Sequence, residues 1–367
     1  MLPYFLLLLI SAVFPMVFYK SGTISLGREV QDVWDKKRNK ATIALFFLGL
    51  FILLALRDFS VGKDLETYKS IFERCIYTSF EHLSDMQWES GYTFFCKVFS
   101  LISKNYRFFL IVVAAVTIIP IYKLYSKETR YSFLLIVLFI NMPCFLMLFS
   151  GLRQAIAISV GVLAYMAIEN RKFFLSFFLI LIAVSFHVSA VMLFLLYPAY
   201  RFKIKTKHLI WIVPVLIGFW FFRIPILTLI ISVLPGKYID SYGEVQHTSA
   251  FGMLLLFLMF AIFSFVVLDE EKMSKKDFFL RNILLVSTVA QFFVPIHGLV
   301  QRASYYFLIF VPVSILSVVK APKRILQGVS SLAVLVLTIF FLLYFFYNAM
   351  VSTDNLLDVF PYKFFWE

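Results

Sequence analysis

Charge is scarce in this chain: only 15% of its 367 residues are Asp, Glu, Lys or Arg. A soluble domain carries about 25%, and the 62% hydrophobic content excludes an ordinary soluble fold. Cysteine is scarcer still, with Cys75, Cys96 and Cys144 alone. No CxxC and no His/Cys cluster occurs, which removes the usual spacings of zinc and dithiol redox sites. No internal repeat is visible, and duplicated halves are the common mark of a transporter. The first apolar run lacks a basic segment before it, and a strongly basic segment follows it. That order favours a retained first span with an external N-terminus over a cleaved signal peptide. Acids are outnumbered by bases, 21 to 34, giving a net charge of +13. Most of that excess is positive-inside anchoring, so no nucleic-acid partner is expected.

What remains is apolar and aromatic, with 46 Phe. A helix crosses the hydrocarbon core with about 20 apolar residues. Apolar runs occupy 2–19, 41–56, 107–122, 131–149, 153–168, 173–186, 188–200, 209–222, 251–268, 280–299, 303–319 and 325–347. They predict an all-α polytopic membrane bundle of about 11–12 transmembrane helices, read as a single domain over 1–367. Several runs are short enough to be tilted, broken or re-entrant. Alternate connections hold 22 of the 34 basic residues, from Lys20–Lys40 through Lys123–Arg130, Arg171–Lys172, Arg201–Lys207 and Lys272–Arg281 to Lys320–Arg324. Those connections are expected on the cytoplasmic side, with both termini outside.

Three external segments are long enough to carry structure: 57–106, 223–250 and 348–367. Within the first, 91–103 is apolar but too short to span, and reads as an interfacial or re-entrant helix. The last is rich in interfacial aromatics. Irregular backbone near the membrane needs cover from protein or water, so these segments are expected to wall or lid a site.

The polar residues at the external helix ends are the candidates for chemistry. Arg57 closes the second span, Gly62 permits a tight turn, and Asp64 is expected to fold back nearby. Their bland reading is a snorkelling Arg and a solvated turn acid. Glu89 precedes the 91–103 helix, where an acid also suits the helix dipole. Ser150 or Gly151 caps the fifth span, and its free N–H groups with Arg153 make a seat for an anion. Gln154 and the small residues Ala155, Ala157, Ser159 and Gly161 suggest a face packed on other helices. His187 ends the sixth span and reads as a base, a hydrogen-bond donor or a packing residue. Arg302 opens a later span one turn before Tyr306, with His297 nearby. Cys75 and Cys96 share the first external segment, where an oxidising compartment permits a disulfide.

Taken in order, these pieces resemble the EpsG family of Wzy-type exopolysaccharide and O-antigen polymerases. The resemblance runs through Leu56-Arg57, Val61-Gly62, Asp64 and Tyr68, then Glu89 to Tyr92 and Ser150 to Ala157. It continues with Arg171-Lys172, Phe186 to Ala190 and Arg302 to Phe307. Lys63 departs from it, where a small polar residue such as Thr is expected. The resemblance implies a glycosyltransferase that joins undecaprenyl-pyrophosphate-linked oligosaccharides at the outer face of a bacterial inner membrane. Both donor and acceptor would be lipid-linked, and a chain-length regulator is a possible partner. Arg57, Arg153, Arg302 and Gln154 would hold pyrophosphate, and Tyr68, Tyr92, Tyr305 and Tyr306 would line the glycan or lipid path. Asp64, His187 and Glu89 are the candidates for the base. No cofactor is implied; whether Asp64 holds a divalent metal stays open. By analogy the bundle would be GT-C-like. The rival readings are an O-antigen ligase, a flippase or transporter of the same lipid-linked glycan, and a sugar acyltransferase.

Overall fold

The apolar runs become helices because nothing else satisfies their backbone in lipid. The computed structural model describes residues 2–17, 28–128, 130–232, 251–320, 327–351 and 356–367. In the first part of the chain the helices are α1 (Leu2–Val17), α2 (Arg28–Leu56), α3 (Leu65–Tyr77), α4 (Ser90–Ile102) and α5 (Tyr106–Tyr125). They continue as α6 (Ser132–Ile140), α7 (Pro143–Ser150), α8 (Leu152–Glu169) and α9 (Phe173–Phe186). An isolated antiparallel bridge pairs Arg57 with Phe364. Hydroxyls within the apolar helices fold back on carbonyls one turn earlier, Ser11 onto Leu7 and Thr42 onto Arg38, so they cost little where water is absent.

The all-α polytopic class stands. By length and composition four helices can cross a membrane, Asp35–Leu56, Tyr106–Tyr125, Leu152–Glu169 and Leu332–Val351, or seven if each bent pair counts as one span. The shorter apolar helices Leu2–Phe14, Phe173–Phe186 and Phe251–Val266 would bring seven only to ten, short of the eleven or twelve expected. The run 131–149 is two helices bent by 65°. Asn141 and Met142 interrupt it, and Pro143 starts the second half, where a missing N–H costs nothing. The run 303–319 breaks by 49° between Leu308 and Val311.

The described residues group into two compact units, 1–191 with 334–367, and 192–333. In the first unit, small residues let helices touch. A Cβ on Gly49 of α2 would stand 2.4 Å from a Leu7 methyl of α1. Ala155, Ala157 and Ser159 of α8 are buried, and Ser159 donates to the Thr117 carbonyl of α5 at 2.7 Å. The small-residue face of α8 is therefore packed on protein.

The two ends of this unit differ. At one end, Lys127 after α5 pairs with Glu169 of α8 at 2.7 Å, and Ser132 meets Asn39 at 2.7 Å. At the other lie the C-terminal ends of α2 and α9 and the N-terminal ends of α5 and α8. The segment 57–106 sits here as α3, a short 3-10 turn (Phe80–Asp85) and α4. The α4 helix matches the 91–103 expectation. Aromatic packing holds it, with Phe72 stacked on Phe109 at 4.6 Å and Tyr68 edge-on to Tyr92 at 5.5 Å.

The C-terminal segment straps across this same end. Asp58 N donates to Lys363 O at 2.9 Å, Phe365 N to Leu56 O at 3.0 Å and Gly62 N to Asp358 O at 3.0 Å. Tyr362 Oη reaches Leu53 O at 2.8 Å, and Tyr4 Oη reaches Val359 O at 3.2 Å. Of the three segments expected outside, 57–106 and the described part of 348–367 thus meet. Residues 233–250 of the other lie outside the described residues.

The second unit is pinned by a residue assigned to a loop in the sequence reading. Arg281 is buried within the helix Lys275–Gln291 rather than anchoring a connection. Its guanidinium donates to Glu270 at 2.7 Å, Ser264 O at 2.6 Å and Ile204 O at 3.2 Å. Such a buried cation needs these acceptors.

Gly62 is where the turn after α2 depends on one residue. Its φ is +112°, and an added Cβ would stand 2.3 Å from Phe149 O. Gly62→Ala is expected to cost about 1–3 kcal/mol and lower the unfolding temperature in detergent. An unchanged melting curve would contradict this turn.

Candidate functional site

Glu89 immediately precedes α4, with φ −62° and ψ 133°. Its side chain does not cap its own helix. One carboxylate oxygen instead accepts from Arg153 Nη1 at the start of α8. The other meets His187 Nδ1 at 2.9 Å, where α9 has just ended. Three helix ends are joined through one carboxylate. The three side chains are 13–15% exposed, buried enough to strengthen the pairing and open enough to be touched by a ligand.

Local sequence explains the meeting. A Cβ on Gly91 would stand 2.3 Å from Ser185 Oγ and 2.7 Å from the Ser185 carbonyl. Only glycine lets α4 press so closely on the last turn of α9, which brings Glu89 to His187. Phe95 of α4 packs against Phe186 at 5.9 Å and steadies the same contact. Gly151 joins α7 to α8 and stands at the N-terminus of α8 without a side-chain cap, next to the buried, unpartnered Ser150 hydroxyl.

Arg153 has further partners. Its Nε donates to Tyr68 Oη at 3.3 Å, and its guanidinium lies 4.4 Å from the Trp88 ring centre and 5.7 Å from that of Tyr68. Arginine has five N–H donors, so these bonds leave donors for a ligand. Sequence reasoning missed Trp88. Its one signal was adjacency to Glu89.

Burial alone would raise the Glu89 carboxyl. The His187 hydrogen bond and the Arg153 charge outweigh it and hold the group down at about 2. Glu89 is therefore a fixed anion at neutral pH. Its place before α4 lets the helix dipole favour the same charge.

The other candidates are spread more widely. Arg57 lies at the same end but is 2% exposed, beneath the C-terminal strap. It donates to Leu54 O, faces the Phe149 ring at 5.8 Å, and leaves Nε and Nη2 without partners. Arg107, missed in the sequence, braces the same turn by donating to Arg57 O at 2.5 Å and stacking between Phe59 and Phe365 at 4.7 and 4.6 Å. Asp64 is the half-buried residue before α3, and its carboxylate makes no cap, hydrogen bond or ion pair. It does not fold back to pair with Arg57. Tyr92 is fully buried among aromatic side chains, and Gln154 is buried beside Arg153 on α8. Arg302, Tyr305 and Tyr306 lie on the helix Gly298–Leu308 of the second unit, both tyrosines buried. Cys75 and Cys96 are both buried and unbridged. Among the described residues no three His, Cys, Asp or Glu side chains gather as a metal-holding group.

The ordered motifs contain all three of these residues, but they did not place Arg153 and His187 on Glu89. The EpsG family profile matches residues 40–364. The chain belongs to the EpsG family. EpsG is a Wzy-like polymerase family, and membership points to an exopolysaccharide or O-antigen polymerase-like function, a polymerase-type glycosyltransferase. No curated protein and no solved structure matches the chain. The matched range takes in both units.

The lowered Glu89 value fixes a pH dependence. A carboxyl at 4.5 when unfolded and about 2 when folded stabilises the fold above 4.5, and that stabilisation fades as pH falls towards 2. The full difference is on the order of 3 kcal/mol. Wild type is expected to lose melting temperature between pH 4.5 and 2 more steeply than Glu89→Gln. Parallel curves would contradict the ionised, doubly bonded carboxylate.

Proposed function

We propose that this protein polymerises undecaprenyl-pyrophosphate-linked oligosaccharide repeat units at the outer face of a bacterial inner membrane. The observation that carries the reading is the Glu89-centred pairing of Arg153 and His187 at one end of the membrane bundle, within the EpsG family pattern. The donor's pyrophosphate carries negative charge that grows as it leaves. A planar guanidinium binds such oxygens as a fork, and the start of α8, which has no side-chain cap, adds N–H groups and the positive dipole end. Arg153 stands where both act together. Arg57 and Arg302 are further phosphate-binding candidates, Arg57 only if the C-terminal strap lifts.

The reaction is a direct displacement at the anomeric carbon. An acceptor hydroxyl on a second lipid-linked unit attacks, and the diphosphate carrier departs from the opposite side, inverting the centre. Preorganised donors aimed at the leaving group supply the main stabilisation. The acceptor proton needs a base within the same site. Prenyl chains enter sideways between helices, with Tyr68 and Trp88 at the charged edge.

The test is purified protein in lipid nanodiscs with undecaprenyl-pyrophosphate-linked repeat units, with and without chelator. Wild type is expected to give a ladder of products. Arg153→Ala is expected to lower the rate about 10²–10³-fold while the protein still inserts, and Arg302→Ala to impair laddering as well. Full activity in Arg153→Ala would overturn the site. Single transfer to a lipid A core would identify a ligase, and lipid movement without bond formation a flippase.

A further inference from the structure

Among Asp64, Glu89 and His187, the geometry points to His187 as the group that takes the acceptor proton, with Glu89 as the residue that sets its tautomer; we infer this on the polymerase reading above. Asp64 has no partner that would orient it. Glu89 has both carboxylate oxygens engaged by nitrogen donors, Arg153 on one and His187 Nδ1 on the other. An anion so bonded is a poor proton acceptor. It is well placed to fix an imidazole. A carboxylate has no hydrogen to give, so the 2.9 Å bond is Nδ1–H donating to Glu89. Nε2 then carries the lone pair, and among the described residues it has no partner. His187 is 14% exposed on its side chain, so this nitrogen remains reachable. The charged groups facing the ring are Glu89 from the start of α4 and, through it, Arg153 from α8.

The step balances without an added reagent. The acceptor O–H proton passes to His187 Nε2. The oxygen's lone pair forms the new C–O bond at the anomeric carbon. The old bond from that carbon to the phosphate oxygen breaks, and its electrons leave on the diphosphate beside Arg153. The imidazolium that forms is held by Glu89 until its proton passes to water. Glu89 touches neither substrate in this scheme and is a positioning residue.

Glu89→Gln gives a signature that a merely structural acid would not. Arg153 can only donate, so the amide oxygen must turn to it. The amide NH₂ then faces His187 Nδ1, which has to become the acceptor. The ring is forced into the Nε2–H form, and the base is blocked although shape and size are kept. The experiment is nitrogen-15 NMR of histidine-labelled full-length protein in nanodiscs at neutral pH, with the His187 signal assigned by His187→Gln. In the neutral ring, wild type is expected to carry its proton on Nδ1 and Glu89→Gln to carry it on Nε2. A neutral wild-type ring with its proton on Nε2 would overturn the inference.

The kinetic arm uses the same lipid-linked units. His187→Ala is expected to lose about 10²–10⁴-fold in kcat with little change in the KM for donor, and added imidazole should restore part of the rate. Imidazole should not rescue Arg153→Ala. A His187→Ala variant as fast as wild type, in a protein that does make polymer, overturns the base assignment alone. Failure of wild type to form any glycosidic bond overturns the polymerase reading and the base role with it.

Discussion

One carboxylate holds one end of the first unit together. Glu89 is unusual among the acids here because it is both largely shielded and fully used, with a cation on one oxygen and an imidazole on the other. In a medium poor in water such a group is costly unless it is paired. The pairing therefore draws three helix ends to one point. Without it, Arg153 would be a shielded charge next to two aromatic rings, and His187 would be a frayed helix end with no fixed proton. The Tyr68 hydroxyl and the Trp88 face complete the cage around the guanidinium.

The surrounding structure serves that point by close approach. Gly91 removes the side chain that would push α4 off α9, and Gly62 turns the chain after α2 beneath Phe149. The C-terminal segment then closes over the turn with backbone hydrogen bonds to residues 56–63. Arg57 is trapped below it, with two guanidinium nitrogens unpartnered. That leaves a strong donor group at the same end, covered by a strap that is held mainly through main-chain contacts.

Much of this was legible in the sequence. The helices follow from apolar length, and the sorting of basic loops puts Arg57, Asp64, Glu89, Arg153, His187 and Arg302 on one side; the first five lie in one compact unit and Arg302 in the other. A turn signal marked Gly62, and apolar content too short to span marked the 91–103 helix, seen at Ser90–Ile102. Other features leave no local mark. The strap bonds through its backbone to a segment 300 residues away in sequence, and main-chain hydrogen bonds have no side-chain signature. Trp88 looks like any interfacial aromatic until Arg153 stacks on it. Arg281 sits among lysines in the sequence, and only the fold turns it inward to Glu270. Asp64 looked like a partner for Arg57 because the two are near in sequence, but the turn at Gly62 leaves the acid at the start of α3 without a partner. Tyr92 shares a helix start with Glu89, yet its ring faces the aromatic core.

The most direct measurement is a double-mutant cycle between positions 89 and 153, read by unfolding of the purified protein in nanodiscs. Glu89→Gln, Arg153→Gln and the double variant are compared with wild type at neutral pH. If the carboxylate joins α4 to α8, the single losses will exceed additivity, with a coupling of about 0.5–3 kcal/mol. Strictly additive losses would mean that the two side chains do not meet, and the arrangement around Glu89 would have to be abandoned.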